Sequence, residues 1–450
     1  MMGISDNKII TRFPPSPTGP FHIGNARTAL FNYLFTKKNN GLMLFRIEDT
    51  DRERSRIEYE KDIIENLKWL GIELDFNNFF RQSERGDVYK NYLQKLIDEG
   101  KAYVSKETEG KRESVIRFKN PNKKIKFNDL IRGEIEFDTT ELKDFVIAKS
   151  LEEPIYHLAV VVDDFESGVT HIIRGEDGIS NTPRQILIQE AIGASRPVYA
   201  HLPFILAPDR SKLSKRKHGE TVSVSYYKKE GYLPEAMVNF LALLGWNPGI
   251  DEEIFSMEEL IEKFDIKKVQ KAGAIFNIEK LNWMNREYIK KIPIERLQNI
   301  LLDYLNEEER NLAKANLEMW KKIVELERER IYKFSDIKEG IGFFFKLGNY
   351  SADDLLWKNS NKRQTIEHIR ELIKILCDIE AEDFNAEKIK NSVWDYAQKE
   401  GKGEVLWPLR FSLSGLEKSP DPFIIAEILG KEETLKRLEI AKSILMNSLD

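Results

Sequence analysis

The sequence predicts a parallel α/β domain, interrupted by a short β-rich insertion and followed by an all-α half. Three observations carry this. Near the N-terminus an apolar run, a turn-rich loop, an amphipathic helix and a second apolar run succeed one another within about 40 residues. A β-loop-α-β order that compact implies parallel strands joined by a right-handed crossover. Residues 101–150 replace this rhythm with short β-like runs and polar turns, and from about Leu233 onward helical periodicity dominates. At 450 residues the chain exceeds one ordinary domain; that length suggests roughly two to four.

The elements follow in order. Lys8 to Phe13 (KIITRF) reads as a short strand, and Ser16-Pro17-Thr18-Gly19-Pro20 as a loop of turn-formers. Asn25 is the expected cap of a helix that places Ala26, Ala29, Leu30, Tyr33 and Leu34 on one face, with Asn39-Asn40-Gly41 as its stop. Leu42 to Ile47 is the next strand. A helix follows with Ile63, Leu67 and Leu70 in register, ending at Gly71. In the insertion, Ser114 to Phe118, Glu134 to Phe137 and Asp144 to Lys149 read as β. Strands are then expected to resume at Ile155 to Val162, Thr170 to Arg174 and Ala200 to Leu206. Asp209 to Gly219 reads as a flexible basic loop. Helices are expected over Pro234–Leu244, Met257–Phe264, Pro293–Leu305, Leu312–Lys333, Thr365–Ile379, Ala386–Glu400 and Thr434–Met446.

Composition narrows the class. A hydrophobic fraction of 41% supports real cores and a charged fraction of 32% describes a soluble protein. No apolar run reaches the roughly 18 residues that span a bilayer, and Met1 to Lys8 carries no signal-peptide core, so a cytoplasmic location is expected. Cys377 is the sole cysteine, which excludes an intrachain disulfide and a Cys-rich zinc site. It falls in an apolar-periodic run and is expected to be a buried structural thiol. The net charge of −5 argues against a globally basic nucleic-acid binder. Two unopposed basic patches stand out: Arg210, Lys212, Lys215, Arg216 and Lys217, and Lys119, Lys123, Lys124 and Lys126. Local patches can bind phosphate while the rest of a protein stays acidic. The second, taken alone, is better explained as a solvated face.

Candidate chemistry concentrates where strands end. His22-Ile23-Gly24-Asn25 sits between a strand and a helix start, where exposed N–H groups and the helix dipole favour phosphate. A histidine can donate to a phosphate oxygen there, and Gly24 lets a base or ribose approach the backbone. Lys212-Leu213-Ser214-Lys215-Arg216 places two ammonium groups and a guanidinium on a loop suited to charge developing on a pyrophosphate. Arg12 and Arg174 each end an expected parallel strand at its carboxyl edge, the edge where open α/β sheets bind ligands. Each can grip a carboxylate with paired hydrogen bonds. Glu48 ends another strand and can hold an ammonium. One cation grip and an anion grip fit an amino acid with an acidic side chain. Taken singly, each feature also has a plain structural explanation: a loop histidine, a solvated basic loop, an ion-pair cluster of Arg46, Glu48, Asp49, Asp51 and Arg52. Asp163-Asp164 reads as a strand ending in a turn. His157, His171 and His201 read as packed residues in strands. No Ser-His-Asp order, H-E-x-x-H, Walker loop or G-x-G-x-x-G occurs.

The two clusters resemble the paired "HIGH" and "KMSKS" signatures of the class I aminoacyl-tRNA synthetases. The resemblance extends to Pro15-Ser16-Pro17-Thr18-Gly19-Pro20-Phe21-His22-Ile23-Gly24-Asn25 as a whole. It continues in Arg46-Ile-Glu-Asp-Thr-Asp-Arg52, Tyr156-His-Leu-Ala, Ile173-Arg-Gly-Glu-Asp177, Asn181-Thr-Pro-Arg-Gln185, Leu244-Gly-Trp-Asn-Pro248 and Leu406-Trp-Pro-Leu-Arg410. These are similar to the bacterial glutamyl-tRNA synthetases, across nearly the whole chain. The resemblance implies an α/β Rossmann-type catalytic domain with an inserted α+β acceptor-stem domain, followed by all-α stem-contact and anticodon-binding domains. In this chain those are residues 1–100 and 151–232, 101–150, 233–320 and 321–450.

By the same resemblance Arg12 and Arg174 hold the glutamate side-chain carboxylate, Tyr156 and Ser16 shape that pocket, and Glu48 takes the α-ammonium. Thr18, His22, Gly24, Asn25 and Lys215 serve ATP. His22, Gly24, Lys212 and Lys215 are the expected catalytic positions, and Arg410 is a candidate tRNA contact. The implied reaction joins glutamate to tRNA(Glu) through an adenylate, with Mg²⁺ carried by ATP, no zinc, no membrane partner and a monomeric protein. An enzyme that also charges tRNA(Gln) and a non-catalytic RNA-binding paralogue are the alternatives. The paralogue is expected to lose Arg12, Glu48, Arg174 or Lys215, and all four are present. A glutaminyl-tRNA synthetase is expected to carry β-barrel anticodon domains, whereas this last third reads as helical. A glutamyl-queuosine enzyme lacks an anticodon domain. The chain departs from the family pattern in four ways. Asn25 replaces the final His, Gly178 stands where a His or another ring is frequent, Lys217 adds a charge to the basic loop, and the insertion is short and lacks zinc cysteines.

Overall fold

The computed structural model of the chain describes residues 8–77, 79–107 and 113–449; Met1 to Asn7, read above for a leader, lie outside them. Two compact units result, Met1–Asn285 and Arg286–Asp450.

In the first unit, strand β1 (Ile10–Phe13) pairs in parallel with β2 (Leu42–Ile47), which pairs in parallel with the short β3 (Phe80–Arg81). Helix α1 (Ile23–Lys38) makes the crossover and is buried on nearly all sides, through Ile23, Ala26, Ala29, Leu30, Phe31 and Leu34. It packs on the strands and on helices Pro234–Leu243 and Met257–Lys263. Its cap is His22, one turn before the expected Asn25: His22 has extended backbone and its side chain accepts from Gly24 N. Intrinsic preference favours Asn as a cap, but here an imidazole nitrogen does the same work. Helix α2 (Ile57–Trp69) ends with Gly71 at positive φ, a left-handed stop that suits glycine.

After α3 (Gly86–Asp98) the insertion forms a four-stranded antiparallel sheet in the order β4 (Ala102–Lys106), β5 (Ser114–Phe118), β8 (Phe145–Ser150), β9 (Glu153–Pro154). Between β5 and β8 runs a hairpin of β6 (Lys124–Asp129) and β7 (Gly133–Asp138). This hairpin joins the edge of the α/β sheet: β6 pairs with β11 (Val198–Leu202), itself parallel to β10 (His171–Gly175). Of the basic patch expected from Lys119 to Lys126, Lys124 and Lys126 lie on β6 and Lys119 and Lys123 precede it. Three of these lysines are already paired, Lys123 with Glu190 and Lys124 and Lys126 with Glu136.

The segment expected as a strand at Ile155 to Val162 is instead a helix, α4 (Tyr156–Glu166). Leu158 to Val162 is apolar without alternation and is buried throughout. Such a run fits a buried strand and a buried helix equally well. Asp163 and Asp164 therefore lie inside α4 and are fully or nearly buried, not in a turn. Helix α5 (Thr182–Ile192) packs against α4. The loop from Asp209 to Gly219 contains a four-residue helix, Lys215–His218, and Lys217 is tied to Asp209 at 2.5 Å and Ser211 at 2.9 Å.

The second unit is helical among the described residues. The single helix expected over Leu312–Lys333 is two, Glu307–Ala315 and Leu317–Arg328, because Asn316 leaves helical backbone and caps the second with its side chain. The helix expected over Thr434–Met446 is the second of two that meet at Gly430 (φ 79°) within Pro422–Asn447; the first, from Pro422, has no counterpart in the sequence reading. Lys402–Ser414, unread in the sequence because Pro408 and Gly403 lie inside it, is also helical. Cys377 is exposed, contrary to expectation. Helix Lys362–Cys377 buries Ile366, Ile369, Leu372 and Leu376, and Cys377 falls about 100° round from Leu376. Arg410 donates to the carbonyls of Ser419 and Pro420, closing the turn after its helix.

Gly41 marks how tightly β1 and β2 are set. A Cβ built there would stand 2.4 Å from the Ile9 carbonyl oxygen, the acceptor for Leu42 N at 2.8 Å. Gly41→Ala is therefore expected to destabilise the first unit by about 1–3 kcal/mol. A lowered first thermal transition checks it; an unchanged transition contradicts the assigned approach.

Candidate active site

A cleft of about 630 Å³ opens at the carboxyl edge of β1, β2 and β10. Among the residues lining it are Arg12, Pro15, Ser16, Thr18, His22, Gly24, Asn25, Glu48, Tyr156, Arg174, Lys212, Leu213, Ser214 and Lys215. The sequence-expected residues from both signatures and from the strand edges thus come together in one place. Gly19 and Pro20 line a second cleft that shares Ser16, Thr18, His22, Asn25 and Lys215 with the first. Phe21 and Ile23 are instead core residues that seat the motif. Arg216 is exposed and borders neither cleft.

At the floor lies a buried ionic cluster. Arg12 Nε donates to Asp164 Oδ2 at 3.3 Å, Arg46 Nη1 to Asp164 Oδ1 at 2.5 Å, and Arg46 Nη2 to Glu48 Oε1 at 2.9 Å. All four side chains are at least 94% buried by area, since none exceeds 6% exposure. Burial alone would push Asp164 towards its neutral form, but the two guanidiniums outweigh it and hold its carboxyl below the ordinary value. Glu48 has one such partner at hydrogen-bond distance, and burial prevails there, raising its pKa. A ligand cation at Glu48 would supply the missing counter-charge.

The arginines are not fully satisfied. Arg12 Nη1 and Arg174 Nη1 are buried and have no hydrogen-bond partner among the described residues. Arg174 is otherwise well held: Nε faces His201 Nε2 at 3.1 Å, and Nη2 donates to Thr182 Oγ1 at 2.8 Å and Gly178 O at 3.1 Å. Leaving a buried charged donor unpaired costs roughly 1–3 kcal/mol or more. Both residues line the cleft, so each brings an unpartnered, positively charged donor to its wall.

The phosphate-suited side is built differently. His22 Nδ1 accepts from Gly24 N at 2.9 Å, so in the neutral ring the proton sits on Nε2. Burial, then the charge of Lys212, lowers the His22 pKa and keeps the ring neutral at pH 7. A Cβ on residue 24 would stand 3.1 Å from that Nδ1, a tight contact to which the imidazole would have to yield. Lys212 lies over the Phe204 ring at 4.0 Å, and Lys215 lines the same cleft from the first turn of its short helix.

Sequence reasoning missed Asp164, Thr182 and His201 as parts of this site. Two adjacent carboxylates inside an apolar run were the available signal: on a buried helix they must find cations. Asp163 meets Arg85 at 2.9 Å and Gln82 at 2.8 Å, outside the cleft. His201, read as packed, is fully buried.

The sequence pattern of the tRNA synthetases class I (E and Q) catalytic domain matches residues 8–114 and 105–283, and that of an anticodon binding domain matches 293–442. The chain is 41% identical to a glutamate--tRNA ligase of Carboxydothermus hydrogenoformans, covering 95% of this chain and 98% of that one. It is also 41% identical to a glutamate--tRNA ligase of Aquifex aeolicus, covering 96% and 98%. A solved glutamate tRNA ligase from Elizabethkingia meningosepticum, in complex with its amino acid, superposes with a TM-score of 0.84 at 34% identity, covering 98% of this chain and all of that one.

Asp164 holds two buried guanidiniums, so Asp164→Asn is expected to cost about 3–5 kcal/mol at neutral pH. Its folded pKa lies below the unfolded value near 3.8, so this stability is present above pH 4 and is lost as pH falls through the folded value. The gap in melting midpoint between wild type and D164N should shrink in acid. A gap that is constant with pH would contradict the assignment.

Proposed function

The chain belongs to the class I tRNA synthetases of the E and Q family, and from that membership we propose that it uses ATP to attach L-glutamate to tRNA(Glu) through a glutamyl-adenylate. The observation that carries the amino-acid choice is the pair of unpartnered guanidinium nitrogens, Arg12 Nη1 and Arg174 Nη1, in a cleft that also holds the buried Glu48. An amino acid whose side chain ends in a carboxylate supplies acceptor oxygens to the two arginines and an ammonium to Glu48.

In the first step an oxygen of the glutamate α-carboxylate bonds to the α-phosphorus of ATP. The bond from that phosphorus to the bridging oxygen breaks and pyrophosphate leaves. In the second step a terminal ribose hydroxyl of tRNA attacks the adenylate carbonyl, forming the ester bond; the carbonyl carbon's bond to the phosphate oxygen breaks, AMP departs with that electron pair, and the hydroxyl proton is released. His22, neutral and with its proton on Nε2, donates to phosphate without adding a charge. Gly24 leaves the backbone open to the nucleotide, with Thr18 and Asn25 beside it. Lys212 and Lys215 oppose the negative charge that gathers on the departing pyrophosphate, where fixed charges help most if they engage the transition state more strongly than the ground state. Ser16 and Tyr156 border the glutamate end.

Mg²⁺ enters on the phosphates of ATP, the usual mode for this ion. The phosphate end of the cleft offers ammonium groups, an imidazole N–H and a helix start, donors that suit phosphate oxygens and a metal-bound nucleotide. The matched anticodon-binding segment supports tRNA as the second substrate, with the helical second unit reading it and Arg410 as a candidate contact.

The direct test supplies ATP, labelled glutamate and purified tRNA(Glu) and measures acid-precipitable label. Charging is expected; absence of charging with any tRNA overturns the proposal. A parallel reaction with tRNA(Gln) measures whether the choice of tRNA is strict. In the same assay Arg174→Ala is expected to raise the KM for glutamate roughly tenfold to a hundredfold, the value of a charge-assisted hydrogen bond. An unchanged KM would remove Arg174 from the carboxylate grip.

A further inference from the structure

Arg174 lines the cleft with Nη1 buried and unpartnered and its other donors committed, and the commitment leads away from the cleft. Its Nε donates to His201 Nε2 at 3.1 Å. A neutral imidazole that accepts at Nε2 must carry its proton on Nδ1, and His201 Nδ1 faces Asp129 Oδ2 at 2.7 Å. His201 and Asp129 are both fully buried. Burial keeps His201 neutral, lowering its pKa. Asp129 stays ionised: burial opposes this, but His201 and the backbone N–H groups of Arg132 and Ile131 outweigh it.

Asp129 ends β6, the strand by which the insertion's hairpin joins the edge of the α/β sheet, and Tyr199 of β11 is its register partner. We propose that Asp129 fixes the Nδ1–H tautomer of His201 and through it aims the free Nη1 of Arg174 at the substrate carboxylate. The three residues form a positioning relay from the insertion to the amino-acid pocket. Gly178 is part of the same device. A Cβ there would fall 2.4 Å from Arg174 Nε, so glycine, where relatives of the family frequently carry a ring, leaves the guanidinium free to lie across the turn against His201. The inference rests on the reading of Arg174 as a carboxylate grip.

Asp129→Asn tests it with little change of shape. The amide oxygen can still accept from Ile131 N and Arg132 N. The amide N–H now donates to His201 Nδ1, which moves the ring proton to Nε2, where it opposes the Arg174 Nε–H. The KM for glutamate is expected to rise roughly tenfold, with the KM for ATP unchanged. In His201→Gln the side-chain oxygen accepts from Arg174 whatever residue 129 is, so D129N added to H201Q should raise the glutamate KM no further. An equal penalty from D129N in both backgrounds, or a rise in both KM values together, would make the role structural and overturn the relay. If D129N fails to fold, H201Q against His201→Leu reads the same bond: Gln keeps the acceptor and Leu removes it, and equal glutamate KM values would overturn the proposal. Should Arg174→Ala raise the glutamate KM while D129N does not, the relay falls and the carboxylate grip stands. Should neither raise it, both fall.

Discussion

The site depends on one electrostatic constraint: two guanidiniums, Arg12 and Arg46, are taken out of water at the end of a parallel sheet, and Asp164 makes that tolerable. A buried charge without a partner is among the costliest features a fold can contain. One carboxylate bonded to both arginines answers most of that cost and leaves a remainder. Arg12 keeps one nitrogen unpaired, Arg174 keeps another, and Glu48 is left short of positive charge. That remainder, two unpartnered donors and a carboxylate short of positive charge, is what the proposed reading assigns to an acidic amino acid.

The same constraint bears on α4, whose apolar run Leu158 to Val162 is followed within the helix by two aspartates. Leu158 to Val162 anchor it beneath the sheet, and the pair that follows is divided between two tasks. Asp163 fastens Arg85, Gln82 and Tyr89, while Asp164 turns to the cleft. The insertion is equally bound to the site: its hairpin extends the sheet through β6 and ends in Asp129 against His201. A segment that reads as an interruption of the domain thus supplies part of the support behind Arg174.

The strand-loop-helix-strand opening was legible because each element had its own punctuation: Pro and Gly in the loop, Asn39 to Gly41 at the stop, an apolar run on either side. Arg12, Glu48 and Arg174 were legible because a strand end is a geometric statement that sequence can make. What escaped notice were choices that only packing decides. An apolar run around Val161 carried no period to separate strand from helix. His22 displaced Asn25 as a cap because its imidazole reached the Gly24 N–H and the helix began one turn earlier. Cys377 turned outward because Leu376, one position earlier, took the core face. His201 looked like filler because the groups that give it a role, Asp129 and Arg174, lie 72 and 27 residues away in sequence.

The central claim is that two unpaired guanidinium nitrogens and one under-neutralised carboxylate select glutamate. The most direct measurement is calorimetric binding of glutamate and of glutamine to the same protein. Glutamine keeps the ammonium and the α-carboxylate and removes only the side-chain charge. The account predicts that glutamine binds at least roughly tenfold more weakly, the difference between a charged and a neutral acceptor at buried arginines. Equal affinities would contradict it.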